Sequence, residues 1–197
     1  WTGAPNLAPW QKAATTLDNF KTSITVAMVG KYAGLADSYK SLNEALVHGG
    51  ITNDCEVKII HVDSEQIEAD GLTAEVRQAD AVLVPLQCEF FALEGLSQLL
   101  QTVEQVRDSL NPALDLHGIV LTMFDGRNNL AAQVVRDVRS FMGDSVYQTV
   151  IPRNVRVSEA PSFGKPAILY DMKCPGSQAY IALASEIIQR EKQLVAA

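Results

Sequence analysis

Cysteine, basic charge and long apolar runs are all scarce in this chain. Its three cysteines show no CxxC spacing, which argues against a disulfide framework and against a zinc or redox site. The net charge of -7 argues against a nucleic-acid partner, because an acidic chain repels phosphate backbones. No apolar run reaches the roughly 18 residues that a membrane helix needs, so we expect no membrane partner.

The composition nevertheless allows a sizeable core. Of the 197 residues, 47% are hydrophobic and 20% are charged, which is typical of a globular protein. Without a basic-then-apolar leader at the start, we expect a soluble cytoplasmic protein. Residues 1–22 contain Pro5 and Pro9 and predict a linker or arm with a helical stretch over Pro9–Phe20. Residues 23–197 predict a single α/β domain.

Short apolar strands alternate with amphipathic helices along this domain. The predicted strands are Ile24–Val29, Val57–Val62, Ala81–Val84, Ile119–Phe124 and Val146–Ile151. Four helices are predicted. The first begins at Asp37 and stops at Gly49-Gly50, and the others span Leu93–Leu110, Leu130–Met142 and Ser177–Leu194. The strands are apolar on both faces, which predicts a three-layer, doubly wound parallel sheet with the flavodoxin-like order 2-1-3-4-5. Ala167–Tyr170 is predicted as a short extra strand.

Two long stretches before the third strand have a specific pattern. They read ITVAMVGKY over residues 24–32 and GLADSYKSLNEALVHGGI over residues 34–51, and the strand Val57–Val62 follows. Together they resemble the first half of the glutaminase domain of CTP synthase. This resemblance implies an α/β fold and covers the chain up to about residue 82.

A different resemblance begins near Ala79. Residues 82–100 read VLVPLQCEFFALEGLSQLL, residues 121–127 read LTMFDGR, and residues 150–166 read VIPRNVRVSEAPSFGKP. These stretches resemble the C-terminal half of the chromosome-partitioning ParA (Soj) ATPases. Both families have a strand of the form seen at Ala79–Pro85, so we interpret the chain as a chimera joined there. An engineered origin is favoured, and a natural recombination stays the alternative.

Neither family's catalytic residues are complete in this sequence. A glutaminase of this class needs a Gly-x-Cys-x-Gly elbow, and no cysteine has it; Cys88 fits the strand–helix turn of the ParA-like half. A ParA phosphate loop around Gly30-Lys31 would need Gly at 25 and Ser or Thr at 32, where Thr25 and Tyr32 stand. We therefore expect no catalytic residue, no metal site, no cofactor and no enzyme activity, only a hybrid scaffold.

The ParA resemblance implies that one part of a ligand site is retained. In that family the segments matching Thr122–Asp125 and Ile151–Asn154 lie around the adenine. The candidate binding residues are Phe124, Asp125, Pro152, Arg153 and Asn154. The alternative function is thus weak adenine-nucleotide binding, because most nucleotide affinity comes from the phosphates. Residual glutaminase or ATPase activity is a third hypothesis.

Two other partners are left open. The predicted strand order places a crevice between Lys31–Asp37 and Leu86–Glu89, at the carboxyl ends of the strands. Free N–H groups at the start of the helix near Asp37 would attract an anion into that crevice. A homodimer is also compatible with the sequence, although no nucleotide-driven dimer is expected without a phosphate loop.

Overall fold

The computed structural model describes residues 6–30, 36–63, 77 and 79–196. Contacts divide the chain into two compact units, Trp1–Gln78 (unit 1) and Ala79–Ala197 (unit 2), which are described separately below. The predicted organisation, an arm over residues 1–22 followed by a single domain over 23–197, stays a prediction.

Unit 1 contains a helix and a parallel β-α-β arrangement. Its elements are α1 (Ala8–Asp18), β1 (Thr22–Gly30), α2 (Ala36–Asn53) and β2 (Cys55–Asp63). The two strands pair in parallel, from Thr22 opposite Cys55 to Gly30 opposite Asp63. Pro9 stands in the first turn of α1, where its missing N–H costs no helical hydrogen bond.

Helix α2 does not stop at Gly49-Gly50 as predicted. It continues to Asn53, and Gly50 is buried. A Cβ atom at Gly50 would overlap the carbonyl oxygen of Cys55 and lie 3.0 Å from Cγ2 of Val57. The glycine therefore lets α2 approach β2 closely, and this packing outweighs the helix-breaking tendency of the residue.

Unit 2 is a three-stranded parallel sheet with its connecting helices. The main elements are β3 (Ala81–Gln87), α3 (Ala92–Ser109), β4 (Asp115–Phe124), α4 (Asn129–Met142) and β5 (Val146–Pro152). After β5 come α5 (Val155–Glu159), α6 (Ala167–Tyr170) and the long C-terminal helix α7 (Pro175–Ala196). The strands lie in the order β3-β4-β5, so β4 is central.

Both faces of the unit 2 sheet are covered, because successive strand side chains point in opposite directions. Ile119 and Leu121 of β4 are fully buried in one cluster with Leu96 of α3 and Val138 of α4. The other face forms a second cluster, whose members are Val120, Tyr147, Ile151 and Leu183. The helices α3 and α4 thus lie on one side of the sheet and α7 on the other.

The α/β class with parallel strands in a three-layer arrangement is confirmed. Within unit 1, β1 lies beside β2, and within unit 2 the strands lie in the order β3-β4-β5, both as the predicted order requires. The extra strand predicted at Ala167–Tyr170 is wrong, since these residues form α6. Pro166 precedes it, and the N–H groups of Tyr170 and Asp171 donate back to the carbonyl oxygens of Pro166 and Ala167, both at 2.9 Å.

Candidate functional site

The carboxyl ends of the three strands of unit 2 lie side by side. The N–H of Cys88 donates to the carbonyl oxygen of Thr122 at 3.0 Å, which joins the ends of β3 and β4. The N–H of Arg153 donates to the carbonyl oxygen of Phe124 at 2.9 Å, which joins the ends of β4 and β5. The five predicted binding residues therefore line one edge of the sheet. We call this edge the strand-end wall; it consists of Phe124, Asp125, Pro152, Arg153 and Asn154.

Phe124 forms the base of the strand-end wall. Its ring is partly buried and packs against the core cluster beneath α3 and α4. A Cβ atom on Gly126 would lie 3.6 Å from ring atom Cε1 of Phe124, so the turn passes close to the ring. Before it, Met123 has a positive φ of 54°, at the irregularity in the pairing between Leu121 and Phe124. Phe124 therefore has a structural role as well as a position at the site.

Asp125 is held by the turn that follows β4. Its Oδ1 accepts from Nε of Arg127 at 2.9 Å and its Oδ2 accepts from Nη2 at 2.7 Å, a bidentate pair. The N–H of Arg127 donates to the same carboxylate at 3.1 Å. These bonds from Arg127 hold the pKa of Asp125 well below its usual range. The carboxylate is therefore ionised at neutral pH, and its charge is already paired.

The last residue of β5, Pro152, and the two residues that follow it, Arg153 and Asn154, form the other part of the wall. The guanidinium of Arg153 lies 3.3 Å from Oε1 of Glu89, but both side chains are more than half exposed, so this ion pair contributes little stability. Oδ1 of Asn154 accepts from the N–H of Val157 at 3.3 Å and caps α5. That cap uses the oxygen of the Asn154 carboxamide and leaves its NH₂ group as a donor.

The chemistry of the strand-end wall suits a flat ligand with acceptors on its edge. Pro152 offers a half-buried apolar surface, and a guanidinium such as that of Arg153 stacks on aromatic faces. The NH₂ group of Asn154 can donate to a ring nitrogen. Such a combination of apolar surface with a few directed polar groups is typical of a small-molecule site.

Cys88 lies next to this edge and is 2% exposed. Burial raises the pKa of its thiol, so the unreactive protonated form predominates at neutral pH. Its N–H is held by Thr122, which places Cys88 in the turn between β3 and α3.

Other predicted features lie partly outside the described residues. The crevice predicted between Lys31–Asp37 and Leu86–Glu89 includes residues 31–35, and Tyr32 of the phosphate-loop comparison lies there too. Thr25, the other departure from that loop, is within β1. Across residues 6–30, 36–63, 77 and 79–196, no cluster of three His, Cys, Asp or Glu side chains could hold a metal. Within the same ranges, no helix has the length and apolar character needed to cross a membrane.

Sequence reasoning missed the polar contacts between α7 and the sheet. Glu186 accepts from two consecutive N–H groups of β5, and Arg190 lies over the ring of Tyr147 at 4.0 Å from its centroid. His117 lies between the Tyr147 hydroxyl and the Glu191 carboxylate, at 2.6 and 2.5 Å. The spacing of Glu186 and Arg190 was visible in sequence, but it is equally typical of a solvent-facing ion pair on a helix.

Comparison with known proteins finds one family model, described as the CobQ/CobB/MinD/ParA nucleotide binding domain, which matches residues 10–167. The chain is 69% identical over 114 residues to the chromosome partitioning protein ParA of Caulobacter vibrioides, covering 58% of this chain and 43% of that protein. It is 41% identical over 169 residues to the chromosome-partitioning ATPase Soj of Thermus thermophilus, covering 86% of this chain and 66% of that protein.

A solved structure is also similar. It is cobyrinic acid a,c-diamide synthase from Mycobacterium smegmatis with bound ADP and magnesium, at 28% sequence identity and a TM-score of 0.49. The similarity covers 77% of this chain and 53% of that one. The chain thus spans less than half the length of the ParA relative and about half that of the synthase.

These findings overturn the chimera interpretation. The family model matches residues on both sides of Ala79–Pro85, where the junction was predicted, and the Thermus relative aligns with 86% of the chain. No comparison supports a glutaminase half or an engineered origin, and the N-terminal resemblance to CTP synthase was misleading.

The expectation of a scaffold without enzyme activity is wrong for the same reason. It depended on the missing glutaminase elbow and on Thr25 and Tyr32 in the phosphate loop, whereas the family match covers 158 residues, from 10 to 167. The matched family is defined by nucleotide binding, and the Thermus relative is named an ATPase. This chain belongs to the CobQ/CobB/MinD/ParA nucleotide binding domain family.

Proposed function

We propose that this protein is an adenine-nucleotide-binding domain of a ParA-type ATPase, and that the strand-end wall holds the base. The observation that carries the proposal is the hydrogen bond from the Arg153 N–H to the Phe124 carbonyl oxygen, at 2.9 Å. It brings together the two segments that surround adenine in the ParA resemblance.

The wall can recognise adenine in three ways. The ring would lie on Pro152, with the guanidinium of Arg153 against its face, an arrangement favoured by the negative potential of an aromatic face. The NH₂ group of Asn154 would donate to a ring nitrogen at the edge of the base. Asp125, already bonded to Arg127, would keep the turn after β4 in place.

The position of Asn154 favours discrimination between bases. Its Oδ1 accepts from the N–H of Val157, and this hydrogen bond fixes the orientation of the carboxamide. A donor held in this way fits an unprotonated ring nitrogen such as N1 of adenine. Guanine carries a proton on N1, so the same donor would be left without an acceptor, at a cost of about 1–3 kcal/mol.

Titration calorimetry of the full chain with ATP, ADP and GTP, each with Mg²⁺, tests the proposal. We expect ATP and ADP to bind with similar affinity and GTP to bind at least about fivefold more weakly, the factor that about 1 kcal/mol represents. Release of phosphate from ATP, measured in the same buffer, tests the ATPase part. No heat of binding with any of the three nucleotides would refute the proposal.

A matched pair of variants assigns binding to the wall. The side chains of Arg153 and Arg156 are 55% and 56% exposed, and each pairs with a glutamate. Arg153→Ala should weaken ATP binding about five- to tenfold through loss of stacking. Arg156→Ala removes the same charge two residues beyond the wall and should leave affinity almost unchanged. Equal losses in both variants would indicate nonspecific charge attraction instead.

A homodimer remains part of this proposal, as a prediction from the sequence. Sedimentation of the protein with and without ATP would detect it, and a single monomeric species under both conditions would refute it. The described residues present no cluster of metal ligands, so we assign no residue to Mg²⁺.

A further inference from the structure

Strand β5 is joined to β4 by an interrupted ladder. Ile119 pairs with Val146, Leu121 with Val150 and Phe124 with Pro152, and the register shifts between each of these pairs. One residue of β4 thus lies opposite the three residues 147–149 of β5. Such a bulge leaves backbone groups without hydrogen-bond partners in the ladder. Fewer inter-strand hydrogen bonds then fix the position of β5 against β4.

Glu186 of α7 occupies this interruption. Its Oε1 accepts from the N–H of Gln148 at 2.7 Å, and its Oε2 accepts from the N–H of Thr149 at 3.0 Å. The Glu186 side chain is only 18% exposed, and Arg190, one helical turn on, pairs with it at 3.2 Å. One carboxylate therefore supplies both hydrogen bonds that the ladder omits at these two positions, and charged acceptors make strong ones.

The charge on this carboxylate is secured by its neighbours. Burial alone would raise the pKa of Glu186, but the N–H groups of Gln148 and Thr149 and the guanidinium of Arg190 hold it below its ordinary value. Glu186 is therefore ionised at neutral pH, in the form that accepts with both oxygens.

Gln148 and Thr149, whose N–H groups Glu186 binds, lie shortly before the strand-end wall in the chain. Thr149 precedes Arg153 by four residues, about 13 Å of extended chain. The wall geometry depends on the Arg153 N–H reaching the Phe124 carbonyl oxygen, since only the pair Leu121–Val150 lies between the bulge and the wall. A displacement of β5 along its axis at the bulge would therefore move Pro152 and Arg153 relative to β4.

We propose that Glu186 is a positioning residue for the base site, which fixes the axial position of β5 and with it the strand-end wall. Glu186 touches neither the wall nor a ligand and acts through the backbone of β5. The inference rests on the proposed function in so far as the wall binds a nucleotide base.

The test compares three variants of the full chain. Glu186→Ala removes both acceptors, and Glu186→Gln keeps the size of the side chain and one acceptor oxygen. Glu191→Gln is the matched control, because it changes another bond between α7 and the sheet, to His117, without touching the N–H groups of β5. Each variant is measured by hydrogen–deuterium exchange of the β5 amides and by ATP affinity.

We expect Glu186→Ala to speed exchange at the amides of residues 148–151 and of Arg153, and to weaken ATP binding about three- to tenfold, with Glu186→Gln between it and the wild type. Glu191→Gln should leave both quantities near the wild-type values. If Glu186→Ala does not fold, the proposal is tested by comparing Glu186→Gln with Glu191→Gln in amide exchange and ATP affinity. Unchanged affinity alongside faster exchange would overturn the proposal, because it would indicate a merely structural bond, and unchanged exchange would overturn it as well.

The two proposals fail differently. If the wild type binds no nucleotide, the proposed function falls, and the exchange measurement still shows whether Glu186 fixes β5. If the wild type binds ATP and Glu186→Ala binds it equally well, only the positioning role falls.

Discussion

Replacing Gly118 by alanine should be one of the most damaging single-methyl changes in unit 2. A Cβ atom at this position would lie 2.5 Å from Cε2 of Tyr147 and 3.1 Å from the carbonyl oxygen of Ser145. Gly118 also has a φ of +156°, a conformation that L side chains rarely adopt. Both effects act against the folded state.

The ring of Tyr147 cannot move aside easily. It is fully buried, and its hydroxyl lies 2.6 Å from Nδ1 of His117. The carboxylate of Glu191 can only accept a hydrogen bond, so Nε2 of His117 donates in this contact and the imidazole is held between Glu191 and Tyr147. The guanidinium of Arg190 covers the ring at 4.0 Å. The added methyl group therefore meets a side chain that is held on three sides.

The expected magnitude follows from these two terms. Overpacking of a filled core costs about 1–3 kcal/mol, and an unfavourable backbone conformation adds about 1–2 kcal/mol. We predict a loss of about 2–5 kcal/mol in the free energy of unfolding. Urea unfolding followed by far-UV circular dichroism measures it, because both tryptophans, Trp1 and Trp10, lie outside unit 2.

A second glycine provides the control. Gly164 has a φ of +61° and a ψ of 29°, in the left-handed region, but no atom lies within 4 Å of its hypothetical Cβ, so Gly164→Ala carries the backbone cost alone. Gly164→Ala should lower the free energy of unfolding by about 1–2 kcal/mol. The reasoning is refuted if Gly118→Ala destabilises no more than Gly164→Ala. Replacing Tyr147 by leucine in the Gly118→Ala background should give less than the sum of the two single losses, since the contact is shared.

Three further predictions concern the strand-end wall and its surroundings. The folded-state pKa of Asp125 is depressed by Arg127, so its contribution to stability is present above about pH 4 and is lost as the pH falls towards the folded-state value. Urea unfolding across this acid range should be less pH-dependent for Asp125→Asn than for the wild type, and identical profiles would contradict the pair. Cys88 should react with a thiol reagent more slowly than the half-exposed Cys55 in the native protein and at a similar rate in urea, with equal native rates as the contrary result. Asn154→Ala should cost about 1 kcal/mol in urea unfolding through loss of the α5 cap, whereas Asn154→Asp keeps an acceptor oxygen and should cost less.

Much of the fold could be predicted because apolar periodicity reports burial directly. The run predicted at Val146–Ile151 forms β5, and the pattern predicted over Leu93–Leu110 forms α3 at Ala92–Ser109. The errors occurred where a tertiary contact outweighs a local preference. Gly50 lies inside α2 because the helix packs on Cys55, and Ala167–Tyr170 is too short for periodicity to separate a strand from a helical turn.

The function was harder to predict because short catalytic motifs were given too much weight. Thr25 and Tyr32 break the expected phosphate loop, no cysteine has the glutaminase elbow, and the chain was therefore interpreted as inactive. The family match instead covers residues 10–167 and includes both strand ends of the wall. A short motif depends on a few letters, whereas a fold positions its site through many weaker constraints, such as the backbone bond between Arg153 and Phe124.

Glu186 shows most clearly what sequence could not reveal. On a helical projection its pairing with Arg190 is that of an ordinary exposed ion pair, which contributes a few tenths of a kcal/mol, about 0.2–0.5. Glu186 differs from a residue in such an exposed pair because the bulge in β5 leaves the N–H groups of Gln148 and Thr149 without strand partners, and Glu186 accepts from both. Neither the pattern of the helix nor that of the strand predicts that Glu186 lies opposite the bulge. The position of the strand-end wall therefore depends on a residue 33 positions after Arg153, through a contact that exists only when α7 packs on the sheet.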